Sequence, residues 1–356
     1  MYPLISVIIP VYNSGNKINS CIKSILSQTY THLEIVLVDD KSPDIKTLEI
    51  LRSWVKKDSR IHLLEKEKNG GNSRLDGVWM AQGDYLCFVD QDDTIPKDSV
   101  QVMYEAAVAN NADAVIGQIS KSMGGGPIKW SFSPKELLPS TGKVLSHDDL
   151  MGEYFESYFG HNILPVSIWG KLFKKELFYK AKFPTPWPRV SESDLLMSMY
   201  LHPVINRLAI IPNVVYNYFI GLPGASPKYL NSWLPSACTL FEIKWGVIDD
   251  YHFVRGSVFL AIEMVNYIKT FVRNSTVFDR YHRNLHIQQL EHNLKHPIWK
   301  RASVLLKTDY QDMKIVNYIL KEETSLLYED LESSILAVSF KLRLKYSILW
   351  LFSKLR

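Results

Sequence analysis

Three carboxylates fall within four residues at Asp90-Gln91-Asp92-Asp93, directly after the apolar run Tyr85-Leu86-Cys87-Phe88-Val89. Charges of one sign that close together repel unless a cation joins them. Carboxylate oxygens are the ligands Mg²⁺ and Mn²⁺ prefer, and such ions usually keep waters and take phosphate oxygens as further ligands. The same residues could instead form an Asx-rich turn capping a helix that starts at Pro96, with Asp93 as a first-turn anion. A second pair, Asp39-Asp40, closes the apolar run Ile35-Val36-Leu37-Val38. A carboxylate there could accept hydrogen bonds from a base or ribose, or cap a turn before Ser42-Pro43. Asn69-Gly70-Gly71-Asn72 follows a third apolar run and precedes Arg74. Its amides could approach a phosphate and the guanidinium could add a planar fork, although a Gly-Gly turn is also common in its own right.

The familiar alternatives fail by inspection. The chain has no GxGxxG after its first apolar run, no GxxxxGK[ST] and no GxSxG elbow, which argues against nicotinamide or flavin folds, P-loop NTPases and serine hydrolases. The pairs His282/His286 and His292/His296 have helical i, i+4 spacing but lack the Glu of HExxH. They read as a solvated helix face.

These residues need elements to hold them. Ile5-Ser6-Val7-Ile8-Ile9 is a continuous apolar run, as expected of a strand covered on both faces. Ile18, Cys21, Ile22, Ile25 and Leu26 then form a helical stripe. Strands are predicted at 35–38, 61–64, 85–89 and 112–119. Helices are predicted from near Pro43 through Val55, over 72–82 and over 96–110. Strand–helix alternation with short links means an α/β fold with a mainly parallel sheet and helices on both faces. In such sheets ligands sit at the carboxyl ends of strands, here 10–15, 39–42, 65–72 and 90–94. The segment 121–145, with Gly124-Gly125-Gly126-Pro127, Pro134 and Pro139, reads as a long substrate-side loop. From about Leu230 the pattern is helical to the end. The division predicted is 1–227, falling into 1–120 and 121–227, followed by a helical region 228–356.

Composition agrees with a folded protein of this kind. The 356 residues are 46% hydrophobic and 22% charged, which rules out disorder, collagen and low-complexity classes. Three cysteines, Cys21, Cys87 and Cys238, fit no CxxC spacing, and a reducing compartment, the cytoplasm, is the expectation. No run of 18 uncharged apolar residues exists to span a membrane. The run Leu4–Val11 lacks a basic flank and reads as a strand rather than a secretory signal, so the Asn274 sequon carries no weight. The net charge is +4, but five of the 41 basic residues fall in the last 24 positions, leaving 36 against 37 acids before them. A globally basic nucleic-acid binder is not expected. That tail also carries two helical apolar stripes, Leu331-Ile335-Val338-Leu342-Tyr346-Leu349 and Leu336-Phe340-Leu344-Ile348-Leu351, interrupted by Lys341, Arg343 and Lys345. One stripe can pack inward while the other meets an anionic membrane surface or a second copy of the chain.

Taken together, the motifs resemble one family. Pro10-Val11-Tyr12-Asn13, Val38-Asp39-Asp40-Lys41-Ser42, Asn69-Gly70-Gly71 with Arg74, and Gly83-Asp84-Tyr85 leading to Asp90-Gln91-Asp92-Asp93 occur in the order and spacing of family 2 inverting glycosyltransferases with the GT-A fold. The likeness extends to Trp169-Gly170-Lys171-Leu172-Phe173, Tyr216-Asn217-Tyr218 and Ser226 and covers roughly the first 225 residues.

The resemblance implies transfer of a sugar from a nucleotide-diphospho donor, a UDP-sugar in the first place, to a hydroxyl of a glycan, lipid-linked or protein-linked saccharide acceptor. It implies that Pro10, Val11, Tyr12 and Asn13 line the nucleotide, with Tyr12 against the base. Asp40 would bond the uracil or ribose, and Gly70, Asn72 and Arg74 would lie by the ribose or diphosphate. Asp90, beside Gln91, would contact ribose or donor sugar, and Asp92 would bind a divalent Mn²⁺ or Mg²⁺. The role of Asp93 stays open. The general base implied is Asp194, in Val190-Ser191-Glu192-Ser193-Asp194. Ser193 stands where the family usually has Glu, and Glu192 is the rival if the register shifts by two. The other function class is a non-catalytic sugar-nucleotide binder or scaffold of the same fold, against which an intact Asp90-x-Asp92 and a base candidate argue.

Overall fold

The first strand shows how the sequence builds the sheet. In Ile5–Val11 (β1), Ile5, Val7, Ile9 and Val11 belong to one buried apolar cluster, and Ile8 belongs to another. Alternation along a strand sends neighbouring side chains to opposite faces, so β1 is covered on both. The computed structural model describes residues 2–123, 130–132, 142–190, 192–220, 227–306 and 313–337.

The elements that follow are α1 Ile18–Leu26, β2 Leu33–Asp39, α2 Ile45–Lys57, β3 Ile61–Glu65, α3 Ser73–Met80, β4 Tyr85–Phe88, α4 Ser99–Ala109, β5 Ala114–Met123, β6 Trp130–Phe132, β7 Val144–Ser146, α5 His147–Met151, β8 Lys171–Lys174, α6 Glu176–Lys180, α7 Ser193–Leu201 and β9 Arg207–Ile220. The strands form one sheet in the order β3-β2-β1-β4-β8-β5-β9-β7, with β6 on β5. β1 pairs in parallel with β2 and β4, and β2 with β3. β8 runs antiparallel to both β4 and β5, and β5 is parallel to β9. Six of the nine described strands therefore point one way, which makes the sheet mainly parallel in direction. The simple alternation expected at the fifth strand is interrupted. β5 does not lie against β4, because the Trp169–Phe173 segment returns as β8 between them. Strand order is a non-local property and periodicity does not carry it.

One face of the sheet packs α1, α2 and α4 through Ile22, Leu51 and Met103, and the other packs α3, α6 and α7 through Val78, Phe178 and Met197. Burial of each such side chain contributes roughly 1.5–3 kcal/mol. The helix α3 lies close on β1: a Cβ on Gly77 would come within 2.5 Å of Ile8 Cγ2. Only glycine permits that approach, and it fixes where the N-terminus of α3 arrives. The start of α2 is capped by Asp44, whose carboxylate accepts from Lys46 N.

The chain divides into two compact units. One comprises Met1–Phe155, Ile163–Arg189 and Ser193–Ile220, and the other Glu156–Asn162, Val190–Glu192 and Gly221–Arg356. The second contains α8 Pro227–Asp250, α9 Val254–Phe278, α10 Arg283–Leu294, α11 Pro297–Leu306, α12 Met313–Leu320 and α13 Thr324–Leu336. Phe241, Met264, Phe271, Trp299 and Leu327 are buried in it, and the fully buried Lys244 meets Glu263 at 2.7 Å. His282 and His286 do not form a solvated face. His286 is buried, and both imidazoles approach Asp279, at 2.7 and 3.3 Å. No helix among the described residues is long and apolar enough to cross a membrane. The tail stripes beyond Ala337 and most of the 121–145 loop lie outside the described residues, as does Ser226.

Candidate active site

The carboxyl ends of β1, β2 and β4 and the N-terminus of α3 surround a cavity of about 380 Å³. Pro10, Val11 and Tyr12 enter from the end of β1, Asp40 from β2, and Asp90, Gln91 and Asp92 from the turn after β4. Asn72 and Arg74 come from the start of α3 with Gly71 and Ser73, and Ser193 comes from α7. Asn13 and Gly70 do not line it. Asn13 adopts φ +50°, donates its amide to Ser42 Oγ at 2.9 Å and accepts from Asp44 N, so it shapes the turn behind the cavity. Gly70, at φ +118°, donates its amide to the Asp40 carboxylate at 3.2 Å.

The two acidic pairs split into a structural and a site-facing member. Asp39 is buried and accepts from the amide and hydroxyl of Ser42, so it builds the turn. Asp40 faces the cavity and meets Lys66 Nζ at 2.9 Å. Lys66 also meets Asp76 at 2.8 Å and the Gly70 carbonyl at 2.5 Å. Burial pulls its pKa down, but the bonds from Asp76 and Asp40 outweigh this and hold it above the usual lysine value. Sequence reasoning missed Lys66, although it follows β3 at the edge already marked for ligands.

In the cluster after β4, Asp90 accepts from Arg74 Nη2 at 2.6 Å. The buried Arg74 Nε has no partner, so part of its fork is unspent. Gln91 faces the backbone of Tyr12 rather than open solvent. Its Oε1 accepts from Tyr12 N at 2.9 Å and its Nε2 donates to Tyr12 O at 3.0 Å, holding the half-exposed Tyr12 ring at the rim. Asp92 is exposed and lines the cavity. Asp93 neither caps α4 nor faces the cavity. It is 2% exposed, accepts from Tyr216 Oη at 2.7 Å and from Phe219 N at 2.7 Å, and burial pushes its carboxyl up to about 7. Tyr216 Oη in turn accepts the Asp90 amide at 3.0 Å. The Trp169 ring stacks on Tyr216 and Tyr218 at 4.6 and 5.2 Å. No local pattern ties Asp93 to a tyrosine 123 residues away.

Asp194 lies in the first turn of α7, next to the cavity-lining Ser193. Burial raises its pKa, while Arg74 and the amides of Leu195 and Asp194 itself oppose the rise and Asp90 adds to it. Glu192 accepts from Tyr267 Oη at 2.6 Å, within the second unit.

A divalent ion would meet hard ligands among these groups. The donors at hand are carboxylate oxygens, the hard ligands such ions prefer. Among the described residues no group of three or more His, Cys, Asp or Glu could hold a metal by itself. The protein offers Asp92, with Asp90 beside it, and the remaining ligands would come from a bound diphosphate and water. That fits an ion held jointly with a substrate.

The sequence of this edge matches a known family. Residues 6–160 match the profile described as Glycosyl transferase family 2. This chain carries a family 2 glycosyltransferase domain. Among curated relatives of this glycosyltransferase domain, glycosyltransferase GlyA of Streptococcus pneumoniae is 33% identical over 65% of the chain and 32% of its own length. The poly(ribitol-phosphate) beta-glucosyltransferase of Bacillus spizizenii is 29% identical over 62% of the chain and 33% of its own length. The chain thus spans about a third of the length of each. The crystal structure of S. aureus TarS 1-349 aligns with a TM-score of 0.63 at 20% identity, covering 94% of this chain and 92% of that one. The fold is GT-A, a mixed sheet with flanking helices and a helical C-terminal region.

Proposed function

We propose that the protein transfers a sugar from a nucleotide-diphospho donor, in the first place a UDP-sugar, to a hydroxyl of a glycan acceptor with inversion. The observation that carries this is the cavity at the carboxyl edge, which gathers Tyr12, Asp40, Arg74, Asp90 and Asp92 in one place. TarS 1-349 has been solved with UDP-GlcNAc, which supports the UDP donor. The curated relatives above are named as glycosyltransferases, and that leaves the non-catalytic alternative without support.

Tyr12 offers a ring face to the base, and Gln91 keeps its backbone from swinging away. Asp40 accepts from the uracil or ribose, and Arg74, which lines the same cavity, adds a planar charged group for the diphosphate. Asp92 with Asp90 would hold Mg²⁺ or Mn²⁺, which when bound would offset charge on the leaving diphosphate. Asp194 takes the proton from the attacking hydroxyl. Its raised pKa suits a group that must accept a proton near neutral pH. The acceptor side includes the Trp169 segment. The cytoplasm is the compartment proposed, from the three unpaired buried cysteines.

Thermal shift with UDP-glucose, UDP-galactose and UDP-N-acetylglucosamine, with and without Mn²⁺, tests the reading. One donor should raise the melting temperature with Mn²⁺ and release UDP slowly without acceptor. Equal melting temperatures throughout, with no UDP released, would sink it.

A further inference from the structure

Lys66 directly follows β3, and its side chain is 13% exposed. An ammonium carries three protons and one charge, and withdrawing it from water is costly unless both are met. Nζ lies 2.9 Å from Asp40 Oδ1 and 2.8 Å from Asp76 Oδ2. It also donates to the Gly70 carbonyl at 2.5 Å and to Ser73 Oγ at 3.2 Å. One nitrogen thus ties together the residue after β2, the loop before α3 and the first turn of α3. Asp40 is held from other sides as well. Its amide donates to Val11 O at 2.9 Å, and its carbonyl accepts from Asn69 Nδ2 at 2.9 Å. Oδ1 takes the Gly70 amide at 3.2 Å beside Lys66, while Oδ2 has the longer 3.4 Å approach of that amide. Oδ2 is therefore the oxygen with accepting capacity to spare, on a residue that lines the cavity together with Tyr12.

Uracil presents an N3–H donor where cytosine presents a bare, accepting N3. An ionised carboxylate only accepts. Fixed in place, it favours the first base and repels the second. A carboxylate free to swing can turn away from the cytosine lone pair at little cost.

We propose that Lys66 is a positioning residue for base selection: its ammonium fixes the Asp40 carboxylate so that Oδ2 meets the N3–H of a uracil and turns cytosine away. The proposal rests on the nucleotide-sugar reading of the cavity. Lys66 is not among the residues that line that cavity, so it acts through Asp40.

The test is calorimetry of UDP and of CDP, each with Mn²⁺, on wild type, Lys66→Met and Lys66→Arg. Wild type should prefer UDP by about tenfold or more. Lys66→Met keeps the apolar stem and removes the charge. Its UDP affinity should fall about tenfold while its CDP affinity stays within about twofold of wild type. Lys66→Arg puts the charge back and should restore the UDP preference to within about threefold. Equal falls for the two nucleotides overturn the proposal, since a merely structural loss weakens both. So does a preference unmoved in Lys66→Met, or one that Lys66→Arg does not restore. A wild type that binds neither nucleotide sinks the nucleotide-sugar reading and the proposal with it, whereas selective binding by the wild type keeps that reading whatever the variants do. Should Lys66→Met not fold, the ¹³Cε signal of Lys66 decides, assigned by its absence in Lys66→Arg. It should shift on adding UDP and stay in place on adding CDP, and equal shifts or none overturn the proposal.

Discussion

In the proposed reading Asp92 serves binding and Asp194 serves chemistry. Asp194→Asn is isosteric, and if Asp194 is the base on the acceptor side, UDP affinity with Mn²⁺, measured by calorimetry, should stay near wild type. Transfer should fall by about 10²–10⁴, the usual contribution of a positioned acid or base. Asp92→Asn should weaken UDP binding in Mn²⁺ as well as turnover, and EDTA should reduce the wild type to that level. If Asp194→Asn transfers normally and Glu192→Gln is dead, the base is Glu192, despite the bond from Tyr267. At this scale the sequence was most legible where function is local. Pro10, Tyr12, Asp40 and Asp90 fall in the strand-end windows marked in the sequence and line one cavity, together with Arg74 from the first turn of α3. The bond of Lys66 to Asp40 and that of Tyr216 to the Asp90 amide were not legible, because they join residues 26 and 126 positions apart, and separation of that size leaves no pattern.

The element that sets the site is α3. Its N-cap Asn72 accepts from Arg74 N and Leu75 N, and its Gly77 lets it sit against Ile8 and Val38. A Gly77→Val side chain must displace one of them, which should cost about 1–3 kcal/mol in urea unfolding. Because Arg74 rides on the same helix, UDP affinity should fall as well. Intact affinity in a destabilised protein would show that the first turn is held by other contacts. Element types were readable from periodicity, as the stripe Ile18-Cys21-Ile22-Ile25 became a buried helix face. Boundaries were less so. α4 begins at Ser99 rather than Pro96, and β5 begins at Ala114 rather than Ala112. The insertion of β8 beside β4 was not readable at all, because pairing across the sheet is settled by packing between distant segments.

At the scale of the whole molecule, acid should weaken the fold through His202. It is buried, stacks on Phe155, and has Nε2 2.8 Å from the Leu150 carbonyl, and burial lowers its pKa from 6.5 to about 4. The unfolded chain takes up this proton first, so the stability it provides is complete above about pH 6.5 and is lost as pH falls toward 4. The loss is on the order of 3 kcal/mol. Urea melts from pH 7 to 4 should show a flatter slope for His202→Gln, and equal slopes would assign the acid sensitivity elsewhere. The composition of the second unit bears on how the protein could be cut. Glu156 is fully buried and meets Arg255 at 2.7 Å and His161 at 2.6 Å, and Glu192 is bonded by Tyr267. Both acids precede residue 220, and Arg255 and Tyr267 follow it. A shortened chain ending at Ile220 would therefore leave Glu156 with His161 but without Arg255, and Glu192 without Tyr267. The strand-and-helix half is not a cassette that one incision frees, and grafting it onto another helical half would require recoding 156–162 and 190–192 along with the graft.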